Sequence, residues 1–177
     1  LFRHQRARVH ASLYRVLGAN RDMDDLMQET FIQVFASLRG FRGEARLATW
    51  IDRIAVRVAY RYLSRKSAAL PTLELASEDE LAAGDDPRRR LAARDGVRRL
   101  YAALDRLSPA SRIAFTLHEL DGRSIAEIAV CMGASETATK LRVWRARRAL
   151  HRFAAADPSE RSRRPERGAN RRPRTRI

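Results

Sequence analysis

The sequence has little of what disulfide-stabilised, zinc-binding and membrane proteins require. It holds one cysteine, Cys131, among 177 residues, which excludes an internal disulfide framework and a zinc site built from several cysteines. A single cysteine is typical of proteins in a reducing compartment. No apolar run approaches the roughly 20 residues that span a bilayer, and the start of the chain shows no secretory signal pattern. We therefore expect no membrane insertion and a cytoplasmic location.

Arrangements that would carry catalysis or hold a metal are also missing from the sequence. The four histidines, His4, His10, His118 and His151, have no spacing typical of a metal site, and there is no glycine-rich phosphate loop. No nucleophile stands in a pattern with a general base, and Cys131 lies on an apolar helix side where a core position is expected. The sequence therefore predicts a protein without enzymatic activity, metal or cofactor.

Positive charge is abundant, and arginine supplies nearly all of it. The formal net charge is +15, and only Lys66 and Lys140 are lysines. A balance this basic indicates a polyanionic partner, because the arginine fork binds phosphate oxygens and guanine edges through paired hydrogen bonds. GC-rich coding is an alternative explanation for the preference for arginine over lysine, but it does not explain the net charge.

The charge is divided along the chain. Residues 39–66 carry 8 basic and 2 acidic residues, whereas residues 67–87 carry 6 acidic residues and no basic one. This division predicts two modules, 1–66 and 95–154, joined by an acidic flexible linker over 67–94 with at most one short helix. The tail over 155–177 is rich in arginine and nearly free of apolar residues, so we expect it to be disordered.

Apolar residues recur at helical spacing, and no strand pattern or internal repeat is present, so the sequence predicts an all-α fold of two small helical domains. In the first module we expect helices over 1–18, from a cap at Asp22 or Asp24 to Gly40, and over about 48–66. The apolar stripe expected for the second of these helices comprises Leu26, Met27, Phe31, Val34, Phe35 and Leu38.

The second module has the signature of a helix-turn-helix. Ser108-Pro109 is an N-cap followed by proline at the first helical position, and Ser124 with Glu127 forms a capping box that opens a short helix. A tight turn over 133–135 then precedes a basic helix over about 136–153. Its side chains that are placed to contact DNA are Glu136, Thr137, Lys140, Leu141, Arg142, Trp144 and Arg145. A solvated basic helix, with Trp144 in the core, is the alternative.

Two sets of motifs, one in each module, stand in a defined order. The first set is Asp24-Asp25-Leu26-Met27-Gln28-Glu29-Thr30-Phe31, followed by Phe41-Arg42-Gly43-Glu44 and Thr49-Trp50-Ile51-x-x-Ile54-Ala55. The second set is Leu107-Ser108-Pro109, Ser124-x-x-Glu127-Ile128-Ala129, Gly133-Ala134-Ser135 and Lys140-x-Arg142-x-x-Arg145-Ala146-Arg147. The two sets resemble regions 2 and 4 of the extracytoplasmic-function (ECF) sigma factors of the sigma-70 family.

The resemblance implies a protein that binds core RNA polymerase and directs promoter recognition, DNA opening and transcription initiation. Asp25, Gln28 and Glu29 match the family positions that face the basic clamp helices of the large polymerase subunit. An acidic face in a very basic protein suits such a surface. The linker over 67–94 would thread the RNA channel of the polymerase, and an anti-sigma factor is a further implied partner.

The resemblance also assigns promoter DNA to both modules. The −10 element would meet the loop over 41–47 and the helix behind it, and the helix over 136–153 would bind the −35 element. The candidates for −10 contacts are Phe41, Arg46, Arg53, Arg57, Arg61 and Arg65. Recognition of unstacked bases requires a pocket and cationic residues beside a single-stranded backbone.

Some residues depart from the family pattern. The family usually has Asn at the position of Arg57 and often Asp at Arg61, which favours backbone contact over base selection here. Thr139 places a hydroxyl on the expected apolar stripe, and Arg123 replaces a usual apolar residue.

The alternatives to a sigma factor are a free-standing helix-turn-helix regulator that acts without polymerase and an arginine-rich nucleic-acid chaperone.

Overall fold

The structure, a computed structural model, describes residues 2–68 and 87–156. Within these ranges lie seven α-helices, namely α1 (Phe2–Leu17), α2 (Met23–Ser37), α3 (Leu47–Ala68), α4 (Pro87–Leu104), α5 (Pro109–Glu119), α6 (Ile125–Met132) and α7 (Glu136–Ala156), and a 3₁₀ turn over Leu38–Gly40. No strand occurs in the ranges described, and the all-α prediction is confirmed. Most of the acidic strip and the tail over 157–177 lie outside the described residues.

The first module consists of α1, α2 and α3, which pack around the apolar stripes that the sequence predicts. Val9 and Leu13 of α1, Leu26 of α2 and Val58 of α3 are all buried. The predicted stripe of α2 is too wide, since Phe35 is 58% exposed and Leu38 is 45% exposed. The reason is that Met27 and Val34 already fill the face that α2 turns to the core, which leaves the last turn outside it.

The start of α2 differs from the prediction of a side-chain cap. Asp22 is the N-cap residue, but its side chain makes no capping hydrogen bond. Its carboxylate instead accepts a hydrogen bond from the hydroxyl of Tyr62 on α3, with 3.1 Å between the oxygens. Asp22 therefore ties the beginning of α2 to α3 instead of closing the helix end.

Helix α4 takes in the last residues of the predicted linker. Residues 87–94, which lie within the predicted linker over 67–94, form the first turns of α4. Pro87 stands at the helix start, where its missing N–H costs nothing, and the following Arg, Ala and Leu residues are good helix formers.

The helix-turn-helix forms as predicted. Ser124 and Glu127 make both hydrogen bonds of the capping box at the start of α6, and Gly133 ends that helix in the left-handed region with φ +61°. The Ser135 hydroxyl accepts a hydrogen bond from the Ala138 amide, 3.2 Å away, and so caps α7. Thr139 is fully buried, and its hydroxyl donates to the Ser135 carbonyl at 3.0 Å. The hydroxyl on the apolar stripe is thus satisfied within the helix.

The two modules pack directly against each other. Helices α1 and α3 of the first module contact α5 and α6 of the second. The buried apolar residues of both modules form one continuous cluster, which joins Val9 and Val58 to Leu117 and Ile128. The helices of the two modules therefore share one apolar core in this structure.

Candidate nucleic-acid interface

Helix α7 separates a buried face from a basic outer face. Thr139, Val143 and Ala146 are buried and fix the helix on its module. On the outer face, Leu141 is 42% exposed and Trp144 is 54% exposed. The other predicted contact residues of this helix are exposed, except for the half-buried Arg142: Glu136, Thr137, Lys140 and Arg145. The structure therefore brings all seven predicted side chains to one accessible helix.

The exposure of Trp144 argues against its core interpretation. Its ring lies under the guanidinium of Arg148, with 5.3 Å from the Arg148 Cζ to the ring centroid. Such a contact orients a cation beside an aromatic face that is open to solvent. Arg147 is used differently, since its Nε donates to the Glu119 carboxylate at 2.8 Å. Spacing alone could have placed Arg148 beside Trp144, one turn apart, but it could not show the pair with Glu119.

The predicted −10 surface is built from a loop and the outer side of α3. Phe41 and Trp50 are half-buried, and their ring centroids lie 5.1 Å apart at an interplanar angle of 46°. Trp50 also packs against the core. The arginines 46, 57, 61 and 65 are exposed or partly exposed, and Arg53 is half-buried. The structure thus places one basic group in the loop and four along α3, all exposed or partly exposed, with the aromatic pair at the loop and the start of that helix.

The acidic side chains of α2 lie beside this basic surface. Asp25 and Gln28 are exposed. Glu29 is tied to α3, because its carboxylate accepts a hydrogen bond from Arg61 at 2.8 Å and lies 4.0 Å from Arg65. A residue expected to face polymerase therefore pairs with residues expected to face DNA. No pattern in the sequence marks this pair, since 32 positions separate Glu29 from Arg61.

Sequence reasoning did not recognise a row of exposed apolar side chains on α2 and the 3₁₀ turn that follows it. Ile32 is 59% exposed and stands next to Phe35 and Leu38 at spacings of three residues. The spacing is visible in the sequence, but it equally indicates a widened core stripe. Together with Asp25 and Gln28, this row gives α2 an outer side that is both acidic and apolar.

Arg123 has a structural explanation for its departure from the family pattern. Its guanidinium donates to Asp52 at 2.8 Å and to the Ser12 hydroxyl at 3.2 Å, and it also pairs with Asp121. Burial alone lowers the pKa of Arg123, but the carboxylates of Asp52 and Asp121 outweigh it and hold that pKa above its ordinary value. Arg123 is therefore a charged contact inside the molecule.

Cys131 is buried on α6, as expected from its place on the apolar side. Burial raises the pKa of its thiol, and the nearby charges of Arg123 and Arg53 only partly oppose this. In residues 2–68 and 87–156, no group of three or more His, Cys, Asp or Glu side chains could hold a metal ion. No helix in these ranges has both the length and the apolar content to cross a bilayer.

Comparisons with known proteins cover both modules. The family model Sigma-70 region 2 matches residues 1–69, and Sigma-70 region 4 matches residues 97–150. The ECF RNA polymerase sigma-E factor of Haemophilus influenzae is 31% identical over 148 residues, which cover 79% of this chain and 78% of that protein. The ECF RNA polymerase sigma-E factor of Escherichia coli K12 is 30% identical over the same length, with the same coverage.

Solved structures show the same arrangement of helices. CnrH in complex with the cytosolic domain of CnrY is 26% identical with a TM-score of 0.59, and the match covers 87% of this chain and 85% of that chain. The sigma factor RpoE of Bartonella quintana, solved in complex with the anti-sigma factor NepR, is 20% identical with a TM-score of 0.60 and supports the fold alone. That match covers 87% of this chain and 94% of that chain. Both modules therefore have counterparts in the same order.

Proposed function

The chain belongs to the ECF sigma factors of the sigma-70 family, and from that premise we propose how its residues divide the work of promoter recognition. It is an RNA polymerase sigma factor, whose partners are core polymerase and promoter DNA. The alternative of a free-standing regulator is not favoured, because a region 2 match covers the whole first module. The observation that carries the proposal is the coexistence of an acidic α2 surface and a basic α7 face in one chain.

The first module, residues 1–66, binds core polymerase in this proposal through Asp25, Gln28 and Glu29. Two of these side chains are exposed on α2, and opposite charges on the two surfaces would steer the encounter. The neighbouring Ile32, Phe35 and Leu38 supply apolar area that charged contacts alone lack. Exposed apolar rows rimmed by polar residues are typical of protein–protein contact sites.

The same module binds the −10 element in this proposal. The aromatic pair of Phe41 and Trp50 lies in the loop and at the start of α3, where a base taken out of its stack can rest on a ring. The arginines at 46, 57, 61 and 65 line the adjoining side of the module and suit the phosphates of a single strand. Arg53 is half-buried and completes the surface next to α6.

The second module, residues 95–154, binds the −35 element through the outer face of α7. Glu136, Thr137 and Lys140 lie in its first turns, which is the part of a recognition helix that contacts bases. Leu141 offers an apolar group of the kind that packs on a thymine methyl. Further along, Arg142, Trp144 and Arg145 extend the contact, and the other arginines of α7 hold phosphates.

Three further assignments follow from the family. Sigma factors are initiation factors, so the chain is proposed to carry no catalytic site of its own and no cofactor. It acts in the cytoplasm, where polymerase and the chromosome are found. An anti-sigma factor is proposed as a regulatory partner, and the residues over 67–94 and 155–177 serve as connector and tail, with 87–94 built into α4.

Run-off transcription with purified bacterial core polymerase on pooled promoter fragments tests this proposal. Discrete transcripts that appear only with the protein are expected, and their upstream sequences give the −35 and −10 elements. Failure to produce any transcript, together with sequence-selective DNA binding by the protein alone, would support the regulator instead.

A charge-reversed variant tests the polymerase surface separately. Asp25→Lys combined with Glu29→Lys is expected to weaken polymerase binding by about tenfold, because it places cations opposite a basic surface. Asp95→Lys is the matched control, since Asp95 is exposed on α4 outside the proposed contact. Binding is measured by competition for fluorescent core enzyme, and unchanged affinity of the double variant would remove these residues from the interface.

A further inference from the structure

Among the residues that the structure describes, three of the four tyrosines have partners inside the molecule and the fourth has none. The Tyr62 hydroxyl donates to the Asp22 carboxylate at 3.1 Å, and the Tyr101 hydroxyl donates to backbone carbonyls at the end of α1. Tyr14 stacks on a histidine of its own helix. The fourth is Tyr60 on α3, which is 45% exposed. Its aromatic face is therefore open to a partner molecule.

Tyr60 lies on the side of α3 that carries the proposed −10 contacts. At 3.6 residues per turn, six residues that are exposed or half-buried fall within an arc of about 100° around the helix axis. We call this arc the outer face of α3, and it consists of Trp50, Arg53, Arg57, Tyr60, Arg61 and Ser64. The opposite side of the helix holds Ala55 and Ala59, which are buried in the core.

The surroundings of Tyr60 are cationic. Arg57 and Arg61 on either side of it are exposed, and the outer face of α3 carries no acidic residue of its own. Within Leu47–Ala68, all of which the structure describes, Tyr60 is the one large apolar side chain that is exposed. A single aromatic ring among arginines is too small for an apolar protein contact, which requires a contiguous patch. It suits an unpaired nucleic-acid strand, in which phosphates meet cations and bases stack on rings.

The distance along α3 places Tyr60 apart from the aromatic pair of Phe41 and Trp50. Ten residues separate Trp50 from Tyr60, which is about 15 Å at 1.5 Å per residue. Successive bases of a stacked strand lie about 3.4 Å apart, so this length corresponds to roughly four nucleotides. Arg53 and Arg57 stand between the two aromatic positions, where the phosphates of such a strand would pass.

We propose that Tyr60 is a second stacking contact for the unpaired promoter strand, about four nucleotides away from a base that rests on Phe41 and Trp50. This inference rests on the proposed function, in which the first module binds the −10 element. Every base has an aromatic face, so stacking on Tyr60 tolerates any base. Tyr60 therefore prolongs the lifetime of the opened promoter and does not select its sequence.

Photochemical cross-linking tests the contact directly. The full chain is combined with purified bacterial core polymerase on a promoter that it transcribes, and 5-iododeoxyuridine replaces one nucleotide at a time in the unpaired strand. Ultraviolet light couples this base to an aromatic ring stacked on it, and mass spectrometry identifies the residue. We expect a cross-link to Tyr60 at a position about four nucleotides from the one that cross-links to Phe41 or Trp50. Cross-links to that pair without any to Tyr60 would overturn the proposal.

Two substitutions separate the aromatic ring from its apolar volume. Tyr60→Leu keeps apolar volume without an aromatic face, and we expect it to shorten the lifetime of the opened promoter complex about tenfold. Tyr60→Phe keeps the ring and is expected to match the wild type. Val130→Ala is the control for loss of an exposed apolar group, because Val130 is 48% exposed on α6, outside the outer face of α3. Equal lifetimes for the Leu and Phe variants would contradict stacking.

The salt dependence of promoter affinity distinguishes stacking from a charge effect. Tyr60→Leu is expected to lower the affinity without changing the slope of log affinity against log salt concentration, because no phosphate contact is lost. Arg57→Ala is expected to reduce the magnitude of that slope by about 0.7, the value for one phosphate contact on a single strand. A smaller slope in Tyr60→Leu would mean that the substitution acts through the neighbouring arginines, and it would overturn the stacking role.

The same experiments separate this inference from the proposed function. A wild type that opens no promoter with core polymerase would contradict the proposed function, and the inference would fall with it. A wild type that opens promoters, with Tyr60→Leu equal to it in lifetime, would overturn the stacking contact alone. Urea denaturation of the full chain is expected to give the same midpoint for both proteins, because Tyr60 is exposed.

Discussion

Arginine is used in opposite ways on α7 and at the interface between the modules. On α7, Arg145 is exposed, and Arg148 lies over the open face of Trp144. At the interface, Arg112 is 3% exposed and donates to two backbone carbonyls of α1. Arg123 is held there by Asp52 and Asp121. Arginine is therefore a proposed DNA contact in one region and a contact between the two modules in the other.

The difference shows that burial and neighbouring groups, and not residue type, decide whether an arginine is available to a partner or stabilises the fold. An exposed guanidinium keeps most of its hydration and can exchange water for phosphate oxygens at little cost. A buried one must satisfy its donors inside the protein, because an unpaired buried charge is strongly destabilising. The net charge of +15 consequently overstates the number of arginines that are available to DNA.

The largest effect that would test this contrast concerns promoter affinity. Replacing Lys140 and Arg145 by Ala is expected to weaken binding of the holoenzyme to its promoter by about 1–3 kcal/mol for each side chain that binds a base. The free energy of unfolding should stay within about 0.5 kcal/mol of the wild type, because both side chains are exposed. Competition binding and urea denaturation measure the two quantities.

The outcome is informative in both directions. Unchanged promoter selection in the double variant would remove these residues from the −35 contact. A large decrease in stability would contradict the description of α7 as a helix with a solvent-facing basic side. Arg106→Ala serves as the control for removal of one positive charge away from the proposed DNA face.

Much of α7 could be predicted because its signals are local. The capping box at Ser124, the turn glycine Gly133 and the cap at Ser135 act within a few residues, and the structure contains all three. The apolar stripe through Val143 and Ala146 then fixes which side faces outward. Whether each exposed residue touches DNA stays a prediction.

The interface could not be predicted because its signals are distant in sequence. The contact between Arg123 and Asp52 joins positions 71 residues apart, and that between Arg112 and Val16 joins positions 96 apart. Neither pair has a periodicity or motif that marks it. In the sequence, Arg123 stands out only as an unusual residue before the capping box, and its partners become apparent from the fold. The exposure of the apolar row on α2 was not predicted for a related reason, because helical spacing does not show at which turn the buried part of a helix ends.

A smaller effect is expected when a buried arginine of the interface is removed. Arg112→Ala leaves the Val16 and Leu17 carbonyls without their donors and the Asp105 carboxylate without its partner. Leaving buried groups without hydrogen bonds costs about 1–3 kcal/mol of unfolding free energy. Urea denaturation followed by circular dichroism measures it, with Arg145→Ala as the exposed counterpart. Equal free energies of unfolding of the two variants would contradict the distinction between structural arginines at the interface and exposed arginines on α7.

The smallest effect concerns Glu127, an exposed acid whose contacts are nevertheless structural. Hydrogen bonds from the Ser124 side chain and backbone lower the pKa of Glu127 below its ordinary value of 4.5. Its contribution to stability is therefore fully present above pH 4.5 and is lost as the pH falls through the lowered pKa of the folded state. Glu127→Gln keeps a capping-box side chain without the titrating charge. Between pH 5 and pH 3, approximately, the variant should lose less stability than the wild type in urea denaturation. If the free energy of unfolding changed with pH in the same way in both proteins, the Glu127 carboxylate would add nothing to the cap. Exposed side chains of this module could then be regarded as free for contacts with partners.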